Sequence, residues 1–241
     1  MEMQSYKEEP WQDFSGESAK NLHAKCLWVL VIDTSISMEP HMQELVEGLR
    51  AFKADVENDP VASERIEVAI VEFHEKVKVR CAPKLIDDMT IPEFSTGAYT
   101  FMAQGLERAM QVLDTRVEWY RGSAQPYYVP FVVLITDGEP NGPMDVHKVA
   151  TGVKKRMNSS KRSERVMFMA FGVDGANMEL LEEISDPMFP PMYVRNANFS
   201  SLFQWLSTST KIVSHSTPDD LSLPQMIAES ATDQEDFQRN V

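Results

Sequence analysis

The sequence predicts an α/β fold, doubly wound as a three-layer sandwich around a mostly parallel sheet with one antiparallel edge strand. Three observations lead there. Short, unbroken apolar runs such as 26–32 and 131–135 are rich in β-branched residues and too short for helices, the mark of strands covered on both faces. These runs alternate with longer stretches of helical spacing, which implies βαβ units. One pair of strand-like runs, at 68–73 and 77–81, is separated by only three residues (74–76), so it reads as a hairpin.

Taken in order, the run Cys26-Leu27-Trp28-Val29-Leu30-Val31-Ile32 is the first strand, and it stops at Asp33. Met42, Leu45, Val46, Leu49, Phe52 and Val56 recur every three or four residues, so 41–56 forms a helix, closed by Asn58-Asp59-Pro60. The hairpin at 68–81 follows. A loop, Ser95-Thr96-Gly97-Ala98-Tyr99-Thr100, leads to a helix carrying Met102, Leu106, Ala109, Met110, Leu113 and Val117. The buried strand 131–135 ends at Thr136-Asp137-Gly138, and a basic helix spans 145–157. A strand at 166–171, a short helix at 178–184, a weak strand at 192–194 and a helix at 199–213 complete the pattern.

The chain has 241 residues, enough for one domain with appendages: a polar arm at 1–22, a domain at 23–214 and an acidic tail at 215–241. Lys and Arg total 23 against 37 Asp and Glu, a net charge of −14, which argues against wrapping a nucleic-acid backbone. No apolar run approaches the roughly 20 residues of a bilayer span. Residues 1–11 carry Glu2, Glu8 and Glu9 without an apolar stretch, unlike a secretory signal. Two cysteines, Cys26 and Cys81, form neither a disulfide framework nor a thiolate metal site, and a cytoplasmic setting is expected.

Ligands of open α/β sheets collect beyond the carboxyl ends of the strands. There the chain places Asp33, Ser35 and Ser37 on alternate positions of one loop, Asp137 after another strand, and Thr100 at the start of a helix. Two carboxylates and three hydroxyls make an all-oxygen set suited to a hard divalent cation, Mg²⁺ foremost, with Mn²⁺ or Ca²⁺ as alternatives. Each residue also has a plainer employment: Ser37 and Thr100 suit helix N-caps, and Asp33 and Asp137 suit acceptors for loop amides.

Asp33-x-Ser35-x-Ser37, Thr100 in Thr-Phe-Met-Ala-Gln-Gly-Leu, and Ile135-Thr136-Asp137-Gly138-Glu139-Pro140 resemble the von Willebrand factor A domain over residues 24–213. The resemblance implies that family's Rossmann-like fold and its metal-ion-dependent adhesion site. Ser35 and Ser37 would ligate the metal directly, Asp33 and Asp137 directly or through water, and Thr100 once a ligand is bound. The family usually has glycines before the threonine, whereas this chain has Gly97-Ala98-Tyr99, so its loop is bulkier. The Thr-Asp-Gly-Glu-Pro run is most similar to a bacterial intracellular branch associated with tellurite resistance, whose members accompany kinases and phosphatases.

Catalysis fits less well. Asp33 as the nucleophile of a Mg²⁺-dependent hydrolase or phosphotransferase lacks the second acid two residues on, because Ser35 stands there. No Gly-x-Ser-x-Gly elbow or phosphate-binding Gly-x-x-x-x-Gly-Lys loop is present. The five histidines read as surface residues, His41 alone lying near the metal loop. The expected function is therefore non-enzymatic: a metal-dependent adaptor taking a partner's Asp or Glu, with Glu39, Tyr99, Glu139 and Asn141 as its rim, in a stress-response or kinase- and phosphatase-linked assembly. Lys148, Lys154, Lys155, Arg156, Lys161, Arg162 and Arg165 make a second feature, read as a solvated face or as a dock for a phosphorylated or acidic segment, of which the chain's own tail is one candidate. Core-like positions assign Met102, Met110, Met157, Met167 and Met169, of the 15 methionines, to packing.

Overall fold

In the computed structural model the chain is described at residues 14, 17, 19, 21–185, 187–220, 222–232 and 237–239; most of the N-terminal arm therefore lies outside the described residues. The elements run β1 (Cys26–Asp33), α1 (Met42–Glu57), β2 (Ile66–Phe73), β3 (Val77–Leu85), α2 (Met102–Gly122), β4 (Phe131–Thr136), α3 (Val146–Met157), β5 (Met167–Gly172), α4 (Met178–Ile184), β6 (Met192–Val194), α5 (Phe199–Ser214), α6 (Leu223–Thr232) and β7 (Phe237–Arg239). One sheet has the order β3-β2-β1-β4-β5-β6-β7. β1 pairs in parallel with both β2 and β4, β4 with β5, and β5 with β6.

β1 is buried along its whole length, and its period of two divides the core between the two faces. Trp28, Leu30 and Ile32 pack with Leu45, Leu49 and Phe52 of α1 and Leu202, Phe203 and Leu206 of α5. Leu27, Val29 and Val31 pack with Leu106, Val112 and Leu113 of α2, Val146 and Val153 of α3, and Leu181 of α4. These are the three expected layers. The predicted strand β3 is an antiparallel edge, longer than its sequence run and irregular in register between Val68 and Val71 of its neighbour.

The opposite edge adds an element the reading from sequence lacks. β7 pairs antiparallel with β6, so the sheet has an antiparallel strand at each edge. The acidic tail region supplies it, together with α6, whose Leu223 and Ile227 enter the core and whose Ser230 accepts from the Trp205 indole at 3.1 Å. Phe237 packs edge-on against Phe171 and Trp205. Charge dominates this region's composition, and the few apolar residues that dock it are too sparse to show a period.

Phe14 and Glu17 of the arm meet a buried polar network on α2. Arg116, 1% exposed, donates to both oxygens of Glu67 at 2.7 Å and to both of Glu17 at 2.8 and 2.9 Å, while the Phe14 ring covers its guanidinium. Tyr120 donates to Glu67 at 2.6 Å. No described helix is long and apolar enough to cross a membrane.

Candidate metal centre

β1 and β4 are parallel neighbours whose following segments diverge to opposite sides, so their carboxyl ends form the switch point of the sheet. Asp33 closes β1 and Thr136 closes β4; Thr136 Oγ1 donates to Asp33 Oδ2 at 2.5 Å. Beyond Asp33 the chain stays extended at Ser35 (φ −61°, ψ 163°) before a 3₁₀ turn at Ile36–His41 containing Pro40. That turn folds the Asp-x-Ser-x-Ser segment over the strand ends. The Ser35 amide donates to Asp33 Oδ1 at 2.8 Å, the Ser35 and Ser37 hydroxyls lie 3.2 Å apart, and Ser37 Oγ donates to Asp137 Oδ1 at 2.9 Å. Asp33, Ser35 and Asp137 are buried; Ser37 is exposed.

Thr100 arrives on a separate loop that is pinned at several points. Gly97 N–H donates to the Thr34 carbonyl at 3.1 Å, and Ser35 and Gly97 form an isolated parallel bridge. Buried Glu72 accepts from the Ser95 amide at 2.6 Å and its hydroxyl at 3.1 Å. Asn141 holds the far end: Oδ1 accepts from the Thr100 amide at 2.7 Å, and its own amide donates to the Thr100 carbonyl at 3.2 Å. A Cβ added to Gly138 would sit 3.3 Å from Thr100 Oγ1 and 3.7 Å from Asp33 Oδ2, so both oxygens border one small volume that the glycine keeps open.

The electrostatics of the site favour a cation. Burial pushes the Asp33 carboxyl up to about 6, and the neighbouring Asp137 charge adds to the rise. Asp137 is raised for the same reason, burial, against opposing help from Ser37 and the His41 imidazole. Two acids held close in a desolvated pocket, with hydroxyls turned among them, fit a hard cation. Among the described residues no three His, Cys, Asp or Glu side chains gather to make a different metal site. The capping alternative finds no support: α1 and α2 are capped at His41 and Phe101, neither through a side-chain bond, and Ser37 and Thr100 are not their caps.

All five oxygen-bearing residues read from the sequence thus meet at one place. The rim residues differ in employment. Tyr99 (53% exposed) and Glu39 face solvent, Glu139 accepts from Asn177 at 3.0 Å, and Asn141 turns its side chain inward to Thr100. The holders of the site are what the sequence conceals: Thr136, Asn141, Glu72 and His74. His74 was expected at the surface but is 3% exposed, its Nδ1 3.1 Å from Glu75 and its Nε2 3.5 Å from Ser95 Oγ, because the Thr100 loop lies over it. The loop that covers it is some twenty residues away in sequence, and only the position directly after an apolar run hinted at burial.

The remaining features are structural. Cys26 and Cys81 are free and buried, and burial raises both thiols. Three of the seven cations of the basic stretch form ion pairs: Arg156 with Asp114, Lys161 with Glu164, and Arg162 with Asp219 of the tail. The last pair joins the basic segment to the start of the tail.

Residues 29–208 match the model of the von Willebrand factor type A domain. Compared by sequence, no curated protein matches the chain. Among solved structures, it is similar to a von Willebrand factor type A protein from Catenulispora acidiphila (TM-score 0.57, 15% identity, 78% of this chain and 43% of that one). It is also similar to proximal thread matrix protein 1 from the mussel byssus with a zinc-occupied MIDAS motif (TM-score 0.56, 20% identity, 79% and 48%). A third likeness is the pilus adhesin SpaC from Lactobacillus rhamnosus GG (TM-score 0.59, 12% identity, 82% and 31%). The chain spans less than half the length of each of these, and at such identities the likeness is one of fold.

Proposed function

The chain belongs to the von Willebrand factor type A domain family, and from that premise we propose that it is a divalent-metal-dependent protein-binding module that captures a carboxylate of its partner. The observation that carries this reading is the meeting of Asp33, Ser35, Ser37, Thr100 and Asp137 around a cradle beside Gly138. Asp33, Ser35, Ser37 and Asp137 would hold the cation, Mg²⁺ foremost, with Mn²⁺ and Ca²⁺ accommodated by the same oxygens. When bound, the ion supplies a coordination position open to an outside carboxylate and reverses the local sign of a strongly acidic chain. Thr136 orients Asp33, Ser37 orients Asp137, and Asn141 holds Thr100 at the mouth.

A finer reading places this binding in an intracellular assembly, a stress response or tellurite resistance system with a kinase or phosphatase among its partners. Its support is the Thr136-Asp137-Gly138-Glu139-Pro140 run. The alternative, a Mg²⁺-dependent hydrolase or phosphotransferase using Asp33, has against it that Ser35 stands two residues on, where the general acid/base of such an enzyme would be.

Titration calorimetry with Mg²⁺ tests the site. We expect saturable binding that Asp137→Ala weakens by at least about 100-fold, since even an outer partner of a metal ligand is worth about 10–100-fold. Equal binding by the variant would overturn the assignment. Turnover of generic phosphate esters with Mg²⁺, abolished by Asp33→Ala, would favour the enzyme. Pull-down from native lysate with and without EDTA tests the partner: capture that ignores the chelator refutes metal bridging.

A further inference from the structure

A groove of about 420 Å³ lies beside the metal centre, lined by Glu39, Met42, Gln43, Val46, Arg50, Phe94 and Thr96. One wall is a single face of α1, where 42, 46 and 50 recur at four-residue spacing. The other wall, 94–96, belongs to the loop that delivers Thr100. Met42, Val46 and Phe94 are only half-buried against the core, so the floor is apolar, while Glu39 at the near end sits two residues from Ser37. Arg50 closes the far end, exposed and without an ion pair among the described residues. The same side of the molecule carries Ile36 (59% exposed) and Tyr99 (53%), two of five large hydrophobic side chains exposed among the described residues. Ile36 lies between two proposed ligands and Tyr99 precedes a third. Apolar side chains left open around a polar centre are what a partner surface covers.

We propose that this groove is a second subsite of the same interface, and that it takes an extended segment of a partner protein. An acidic residue of that segment goes to the metal, an aliphatic side chain lies over Met42, Val46 and Phe94, and a further acidic residue meets Arg50. The inference rests on the carboxylate-capture reading and adds the partner's chemistry to it. Met42 and Arg50 are eight residues apart on the helix, roughly 12 Å, which about four extended residues span. The charge order fits: in a chain of net charge −14, the cation at one end of the groove and Arg50 at the other are the two positive points that an acidic segment lying in it would meet. Because one wall is the Thr100 loop, occupation of the groove and engagement of the ion act on one element.

The test is selection of phage-displayed random peptides on the full chain with Mg²⁺. The expected motif is an acid, an aliphatic residue at one fixed spacing, and a second acid beyond it. On Val46→Lys the aliphatic preference should vanish while the first acid persists, and on Arg50→Glu the distal acid should give way to Lys or Arg. A synthetic peptide of the selected motif should bind about tenfold more tightly than its aliphatic-to-glycine version, a difference lost on Val46→Lys. Mg²⁺ titration of both variants, expected to match the unaltered protein, verifies that the site remains folded. Enrichment of a lone acid, no enrichment at all, or an unchanged motif on Val46→Lys overturns the groove. A motif that survives EDTA instead overturns the metal reading and leaves the groove standing.

Discussion

The Ser37 hydroxyl donates to Asp137 Oδ1 at 2.9 Å and thereby joins the loop after β1 to the loop after β4, across the switch point of the sheet. This bond closes a chain of polar contacts from Thr136 through Asp33 and Ser35 to Asp137, in a pocket where both acids are desolvated. The metal-free protein carries that arrangement as a liability, and its consequences are measurable.

The first is a pH dependence. Burial raises Asp33 to about 6 in the folded protein, against about 3.9 for an unfolded aspartate. The folded state therefore binds more protons between these values, and stability falls as pH rises from about 4 to above 6, by about 3 kcal/mol. Thermal melts of metal-free protein should lose roughly 6–12 °C more over that window than Asp33→Asn. Mg²⁺ at a hundredfold excess over its Kd should return about 2.7 kcal/mol. Parallel melting profiles for the two proteins would refute the burial argument.

Asn141 separates positioning from ligation. Its Oδ1 accepts from the Thr100 amide, a role an aspartate keeps and an alanine does not. Asn141→Ala should cost about 1 kcal/mol of stability and weaken carboxylate-peptide binding more than Mg²⁺ binding, while Asn141→Asp restores the peptide affinity. Equal effects of both substitutions would show that Asn141 is a rim contact.

Gly97 is where the Thr100 loop crosses His74. An added Cβ would overlap the Glu75 carboxylate and the His74 ring, and the ring is buried and has no room to retreat. Gly97→Ala should destabilise by about 1–3 kcal/mol in urea unfolding. An unchanged midpoint would mean that the loop is not clamped there.

At the other end of α2, Arg116→Met leaves Glu67, 2% exposed, with the Tyr120 hydroxyl as its remaining hydrogen-bond donor among the described residues. The expected loss is about 3–5 kcal/mol, whereas Glu17→Gln, whose carboxylate is partly exposed, should cost under about 1 kcal/mol. Chemical denaturation of the two variants distinguishes a structural Arg116 from a surface clamp.

The sequence by itself determined the layers and singled out the oxygen-bearing residues that the fold brings together. Runs such as 26–32 and the spacing of Leu45, Leu49 and Phe52 report local backbone state, because a buried strand and an amphipathic helix write their period directly into neighbouring residues. Asp33, Ser35, Ser37 and Asp137 were legible because they follow such runs. Tertiary structure alone decided what holds them. Glu72 and His74 clasp a loop some twenty residues away, Asn141 grips Thr100 across 41, and the acidic tail adds α6 and a second antiparallel edge through a few apolar contacts. Such pairings depend on which surfaces the folded sheet brings together, and a one-dimensional period carries no record of them.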